Sequence, residues 1–140
     1  MNATETNKAL IRNFIATLDR QDWDAILRVV DPACRSHVGG QDGGRDEWVA
    51  MGKMFYAAFP DGRHEIEGVL AEGDQVILRA AFQGTHRGAF HGVPPSGRSV
   101  SVRLMLGYRS AGERVVEHWG QFDALGLMQQ IGALPAAPAA

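Results

Sequence analysis

The chain has a single cysteine, Cys34, among 140 residues. An internal disulfide is therefore excluded, as is a cysteine-rich zinc or iron–sulfur site. The only basic neighbour of Cys34 is Arg35, and no nucleophile pattern surrounds it, so a reactive thiol is not expected. Charge of one sign is also scarce. Fourteen Lys and Arg oppose 16 Asp and Glu, which leaves a net −2. That balance carries no electrostatic footprint for nucleic acid or an anionic membrane. No apolar run approaches the ~20 residues that a membrane helix needs. The start, Met1 to Thr6, lacks the basic-then-apolar order of a secretion signal, so a cytoplasmic location is expected. Repeats and low-complexity linkers are absent. What remains is 45% hydrophobic and 21% charged, the composition of one packed domain. That domain is expected to take up the whole chain, 1–140, with its core over about 8–135 and a frayed tail from 136 to 140.

Periodicity divides the chain into helices first and strands second. Leu10, Ile11, Phe14, Ile15 and Leu18 recur at helical spacing, with Thr4 or Thr6 as candidate cap. Asp22 opens a short second helix that Pro32 helps to end. Arg35 to Val38 reads as a short strand. The glycine-rich run Gly39 to Gly44 reads as a flexible loop, because it lacks the spacing and acidic partner of a dinucleotide fingerprint. Trp48, Met51, Phe55 and Phe59 form one face of a third helix, closed by Pro60-Asp61-Gly62. Strands are expected over 65–70, 75–84, 100–109 and 114–122, then a short helix from Ala124. This order reads as α+β, with helices packed on one face of a curved antiparallel sheet around an apolar pocket.

Three motifs carry a family resemblance. They are Ala58-Phe59-Pro60-Asp61, the segment Gly84 to Arg98, and Glu117-His118-Trp119 followed by Asp123 and Gly126 to Gly132. In this order and spacing they resemble the SnoaL-like polyketide cyclases of the nuclear-transport-factor-2-like superfamily. The resemblance implies a cone-shaped α+β barrel, a homodimer and no metal or organic cofactor. It implies intramolecular aldol ring closure of a polyketide, with a late Asp, matched here by Asp123, as acid/base. Isomerisation, dehydration and epoxide hydrolysis occur on the same superfamily fold, and so do non-catalytic binding modules.

The candidate residues follow from faces and resemblance together. Alternation puts Glu117, Trp119, Gln121 and Asp123 on one face. If the hairpin pairs Ser110 with Glu113, that face also holds Val102, Leu104 and Leu106. Asp123 would then look into an apolar interior with a raised pKa, suited to removing a proton next to a carbonyl. It can equally be the N-cap of the last helix. His37 is a second catalytic candidate, able to polarise a carbonyl or shuttle a proton, or simply a bonded turn histidine. Trp119, Gln121, Phe55, Phe59, His86 and Leu104 are candidate contacts for a small hydrophobic substrate. For Trp119, Phe55 and Phe59 core packing is the alternative use. His86 and His91 read as loop histidines over the pocket mouth, not as metal ligands. Parity puts His118 on the outer face unless a bulge reverses it. That outer face, mixing Arg79, Arg103 and Arg109 with Met105, Val116 and Phe122, is the expected dimer surface.

Overall fold

The structure, a computed structural model, describes residues 2–136. The tail expected to fray lies outside the described residues from 137 onward. Helix α1 spans Ala3–Asp19 and α2 spans Trp23–Val29. Strands β1 (Val30–Val38) and β2 (Gln41–Gly44) lead into α3 (Arg45–Ala58). Strands β3 (Arg63–Glu72), β4 (Gln75–Thr85), β5 (Ser99–Ala111) and β6 (Arg114–Phe122) follow, then α4 (Ala124–Gln130). The six strands form one sheet in the order β2-β1-β6-β5-β4-β3. The α+β class is as expected. The sheet curves around the helices but does not close into a full barrel, and one pairing, β1 with β6, is parallel.

Helices α1, α2 and α4 start where a side chain satisfies a first free amide, whereas α3 starts at Gly44 without a side-chain cap. Asn2, not Thr4 or Thr6, caps α1 by accepting from the Glu5 amide at 2.9 Å. Asp22 caps α2 through the Ala25 amide at 3.2 Å. The apolar stripe of α1 is buried at Ile11, Phe14 and Ile15 against the sheet residues Val76, Leu78 and Tyr108. A second cluster joins Tyr56 and Phe59 at the end of α3 to Phe82, Val102 and Leu127.

Two local readings change. Strand β1 begins at Val30, so Pro32 lies inside it, where the register shifts between Val30 and Arg35 and no regular ladder bond is needed from Pro. The glycine run is not a free loop. Gly39 and Gly40 turn at positive φ, and Gln41–Gly44 pairs back along β1.

The third difference decides the site. The β5–β6 hairpin closes at Ala111 and Arg114 around Gly112-Glu113, not at Ser110 and Glu113. Ser110 then pairs with Val115, but Arg109 pairs with Glu117, so Val116 has no opposite residue. This β-bulge adds one residue to β6 and inverts every later side chain. Leu104, Leu106 and Tyr108 now lie opposite Phe122, Gly120 and His118. Those three β6 residues face the helices, while Glu117, Trp119 and Gln121 face outward.

Deleting Val116 should therefore remove the cooperative thermal transition seen by circular dichroism, because it forces His118 and Phe122 outward. Val116→Ala keeps the register and should cost about 1 kcal/mol or less, the span of strand propensity. A deletion variant that melts like the parent would refute this account of the register.

Candidate active site

Between the helices and the inner sheet face lies a cavity of about 120 Å³. Its wall is almost wholly apolar: Phe14 and Leu18 of α1, Trp23 of α2, Trp48 and Phe55 of α3, and Leu104, Leu106 and Phe122 of the sheet all contribute. The polar side chains on this wall are His118, His64, Tyr56 and Tyr108; Gln121 borders the cavity from the outward face of β6, and no carboxylate is among the lining residues.

His118 is 3% exposed. Its ring stacks on Trp48, with centroids 4.3 Å apart and planes 13° from parallel, and tilts against Tyr108 at 4.7 Å. Its Nδ1 is 3.0 Å from the Gly107 carbonyl oxygen. A carbonyl can only accept, so Nδ1 carries the hydrogen and donates. Nε2 is then a bare acceptor, with no partner among the described residues. Burial pushes the His118 pKa down to about 3; the Gly107 bond opposes that shift, and the nearby His37 charge adds to it. The ring is neutral at ordinary pH. Gly120 gives it room: a Cβ there would lie 3.0 Å from Nε2.

His64 sits on another part of the same wall. Its Nδ1 is 2.7 Å from Asp19 Oδ1, and its backbone amide donates to Asp19 Oδ2 at 2.9 Å. The Tyr56 hydroxyl donates to the same carboxylate at 2.7 Å. Burial pushes the Asp19 carboxyl up, but the bonds from His64 and Tyr56 outweigh it and hold it below its ordinary value. An ionised carboxylate accepts, so His64 also carries hydrogen on Nδ1 and leaves Nε2 without a partner among the described residues.

The residues singled out from sequence divide three ways. Phe55 and Leu104 line the cavity, while Gln121 borders both it and the outer groove from the outward face of β6. Phe59 and His86 are buried beside one another, at 5.6 Å between centroids, but outside the wall. Phe59 is the C-cap of α3, where the helical stripe no longer holds its direction. His86 Nδ1 is tied to Ser96 at 2.8 Å beneath the loop. Asp123 and Trp119 lie on the outer side, because the Val116 bulge reverses the assumed parity, and His37 of β1 lies there with them, paired with Trp119 and stacked on its ring at 5.6 Å. Asp123 is exposed and accepts from the Gly126 amide at 2.9 Å, which makes it the N-cap of α4. It borders an outer groove with Arg79 and Arg103. His37 bonds Asp42 through Nδ1 at 2.7 Å and Glu117 through Nε2 at 2.8 Å. Those two carboxylates, Asp42 first, raise its pKa. His118 moves the opposite way, from the expected outer face to the cavity wall.

Asp19, Tyr56 and His64 were not legible as a group. Two signals existed. Asp19 stands four residues after Ile15 on the apolar stripe of α1, and His64 alternates with Ile66 in β3. A charged and a titratable residue on faces that should be apolar are both worth a partner search.

A sequence model for the family described as SnoaL-like polyketide cyclase matches residues 8–131. No curated protein matches the chain. Among solved structures, AclR of Streptomyces galilaeus, described as "a putative hydroxylase", shares 31% identity at TM-score 0.90, over 97% of this chain and 87% of its own. A "Putative SnoaL-like polyketide cyclase" from Jannaschia Sp. CCS1 shares 27% at TM-score 0.86, over 96% and 97%. IdmH of Streptomyces antibioticus, "a putative polyketide cyclase", shares 25% at TM-score 0.82, over 90% and 98%.

The buried neutral imidazole has a cost that acid reveals. An unfolded histidine protonates near ~6.5, while folded His118 does so at about 3. Between these values the unfolded chain binds the extra proton, so stability falls as pH falls, by about 1.4 kcal/mol per unit. Asp19, with its folded pKa depressed, adds to the loss only below its ordinary value of 3.8. His118→Gln keeps a donor for Gly107 and does not titrate. Denaturant melts from pH 4 to 6 should show the parent's dependence on pH flattened by about that slope; parallel curves would mean that the His118 ring is solvated.

Proposed function

The chain belongs to the SnoaL-like polyketide cyclase family, and from this we propose that it closes a ring in a small, apolar, carbonyl-bearing compound by proton transfer inside the cavity. One observation carries the reading. An imidazole held neutral, with Nδ1 engaged by the Gly107 carbonyl and Nε2 bare, stands among Trp48, Leu104, Leu106 and Phe122 on a largely apolar wall. A bare Nε2 accepts a hydrogen bond from an enol or phenol hydroxyl. It thereby selects the substrate form that carries one over its keto or purely hydrocarbon counterpart. Trp48, Phe55 and Phe122 offer ring faces and edges for a flat molecule, and the dry wall strengthens every polar contact made within it. Leu104 completes the contact surface.

Ring closure requires no change of oxidation state. A carbon next to one carbonyl gives up a proton, the resulting enolate carbon bonds to a second carbonyl carbon, and the new alkoxide takes a proton. An enclosed apolar site assists by holding the chain folded so that both carbonyls meet. Asp123 caps α4 in this reading and takes no part in the chemistry.

A second copy of the chain is the partner we assign to the outer sheet face. Leu70, Ile77, Met105 and Trp119 stand there 75%, 41%, 51% and 37% exposed. Leu70 pairs with Ile77, Ile77 with Gly107 and Gly107 with Trp119, so three of the four form one row across the strands. A continuous apolar row rimmed by charge is the make-up of a homodimer face.

Two measurements check these readings. The first uses naphthol and naphthalene, followed by quenching of the wall tryptophans, and a heptanedione whose carbonyls are separated by three methylenes. Naphthol should bind about five- to tenfold more tightly than naphthalene, as one hydrogen bond contributes. His118→Phe should erase that difference, and the parent should accelerate closure of the diketone. Failure of the parent to bind either ring compound would sink the cavity reading. Separately, light scattering should report about twice the 15.2 kDa chain mass, and Ile77→Glu should return the mass to that of one chain. A single-chain mass for the parent at micromolar concentration would remove the dimer.

A further inference from the structure

Ring closure, as read above, needs a group on the cavity wall that takes a proton and later returns it, and His118 is poorly placed to do so. Its ring is surrounded by Trp48, Tyr108 and a backbone carbonyl, with no carboxylate beside it to stabilise a positive charge. No Asp or Glu stands on the wall itself. Asp123, the acid on which the resemblance centred, is engaged with the α4 amide on the other side of the sheet.

His64 has what His118 lacks. Both rings line the cavity, both donate through Nδ1, and among the described residues neither Nε2 has a hydrogen-bond partner. They differ in what Nδ1 meets. For His118 it is a neutral carbonyl at 3.0 Å; for His64 it is the Asp19 carboxylate at 2.7 Å. We propose that His64 is the proton-transfer residue of this site, that Asp19 is its positioning residue, and that Tyr56 sets the strength of the Asp19 carboxylate. The proposal rests on the ring-closing reading of the same cavity and deepens it.

The surroundings fit that role. The groups facing the His64 ring are Asp19 from α1, Tyr56 from α3 and the Phe82 ring from β4, whose centroid is 5.3 Å away. Asp19 is held by three donors, so its Oδ1 cannot swing away when the ring changes charge. A proton arriving at Nε2 makes an imidazolium whose Nδ1–H already points at a carboxylate. The ion pair forms in place, with no rearrangement. A histidine with an acidic partner and one without, on a shared cavity, divide the work into proton transfer and hydroxyl recognition.

The step balances within the substrate and one imidazole. Nε2 takes the proton from the carbon beside a carbonyl, and the C–H electron pair becomes the enolate. The enolate carbon forms a C–C bond to the second carbonyl, whose π pair moves onto oxygen. Nε2–H returns its proton to that alkoxide and the ring is neutral again. Nothing is oxidised or reduced.

A nitrobenzisoxazole tests this without knowledge of the natural substrate. A base removes its ring C–H proton, the electron pair completes a nitrile, and the N–O bond breaks to release a coloured phenolate. The parent should accelerate this opening, with a rate that rises with pH to a plateau. His64→Gln should lower the plateau about 100-fold or more, the usual worth of a general base. Asp19→Asn removes the carboxylate and should move the inflection to lower pH. Tyr56→Phe removes a donor from that carboxylate, makes it a stronger partner, and should move the inflection to higher pH. These opposite shifts would not arise from a structural role. If Asp19→Asn does not fold, Tyr56→Phe alone still decides. A nitrobenzotriazole, similar in shape but with no such bond to break, reports binding through the wall tryptophans. Binding by the parent with a rate indifferent to His64→Gln overturns this proposal alone. An inflection unmoved in Tyr56→Phe also overturns it, and absence of binding overturns it together with the cavity reading.

Discussion

The Asp19 carboxylate is the last residue of α1, the end of a helix where negative charge is least welcome. It is tolerated because three donors converge on it: the Tyr56 hydroxyl of α3, and the amide and ring Nδ1 of His64 in β3. One anion thus ties two helices to the far edge strand of the sheet. Each bond is charge-assisted and largely screened from water. The carboxylate thus adds a polar tie between α1 and α3 to the apolar packing of Phe14 on Trp48. The same three bonds that organise the wall also orient the ring proposed to act in it, so stability and function share one group.

Most of the fold was legible because periodicity is a local property. The stripe of α1, the cap at Asp22 and the alternation of β5 are all set by neighbouring residues, and the structure has them. The site was less legible because two of its determinants are not periodic. One is Val116, whose lack of an opposite residue reverses the β6 side chains and exchanges Asp123 and Trp119 for His118, Gly120 and Phe122. A bulge leaves no compositional mark, and one residue of register separates a catalytic reading of Asp123 from a capping one. The other is the meeting of Asp19 with His64 across 45 residues. No spacing rule connects them; only the packing of α1 on β3 does.

Charge is sorted by the sheet. Outside, His37 bridges Asp42 and Glu117, and Arg109 completes the network through Glu117 at 3.2 Å. The His37 and Arg109 bonds hold the Glu117 carboxyl below its ordinary range. Inside, one residue further along the same strand, His118 is forced to be neutral. Adjacent residues of one strand therefore lie in opposite electrostatic environments. Family membership accounts for the shared architecture, and the polar residues each face carries are what distinguish this chain within it.

The parallel pairing of β1 with β6 has a consequence for assembly. His37 and Glu117, bonded across that seam, are 80 residues apart in the chain. Every other pairing joins strands that follow one another in sequence, and so closes a short loop. This one must gather more than half of the polypeptide, and loop-closure entropy places such a step late in folding. The inner face of β6 is also the cavity wall that carries His118. The cavity is thus complete only once β1 and β6 have met. Until that seam closes, apolar residues that will line the cavity stand open to water, the condition under which partly folded chains associate with one another.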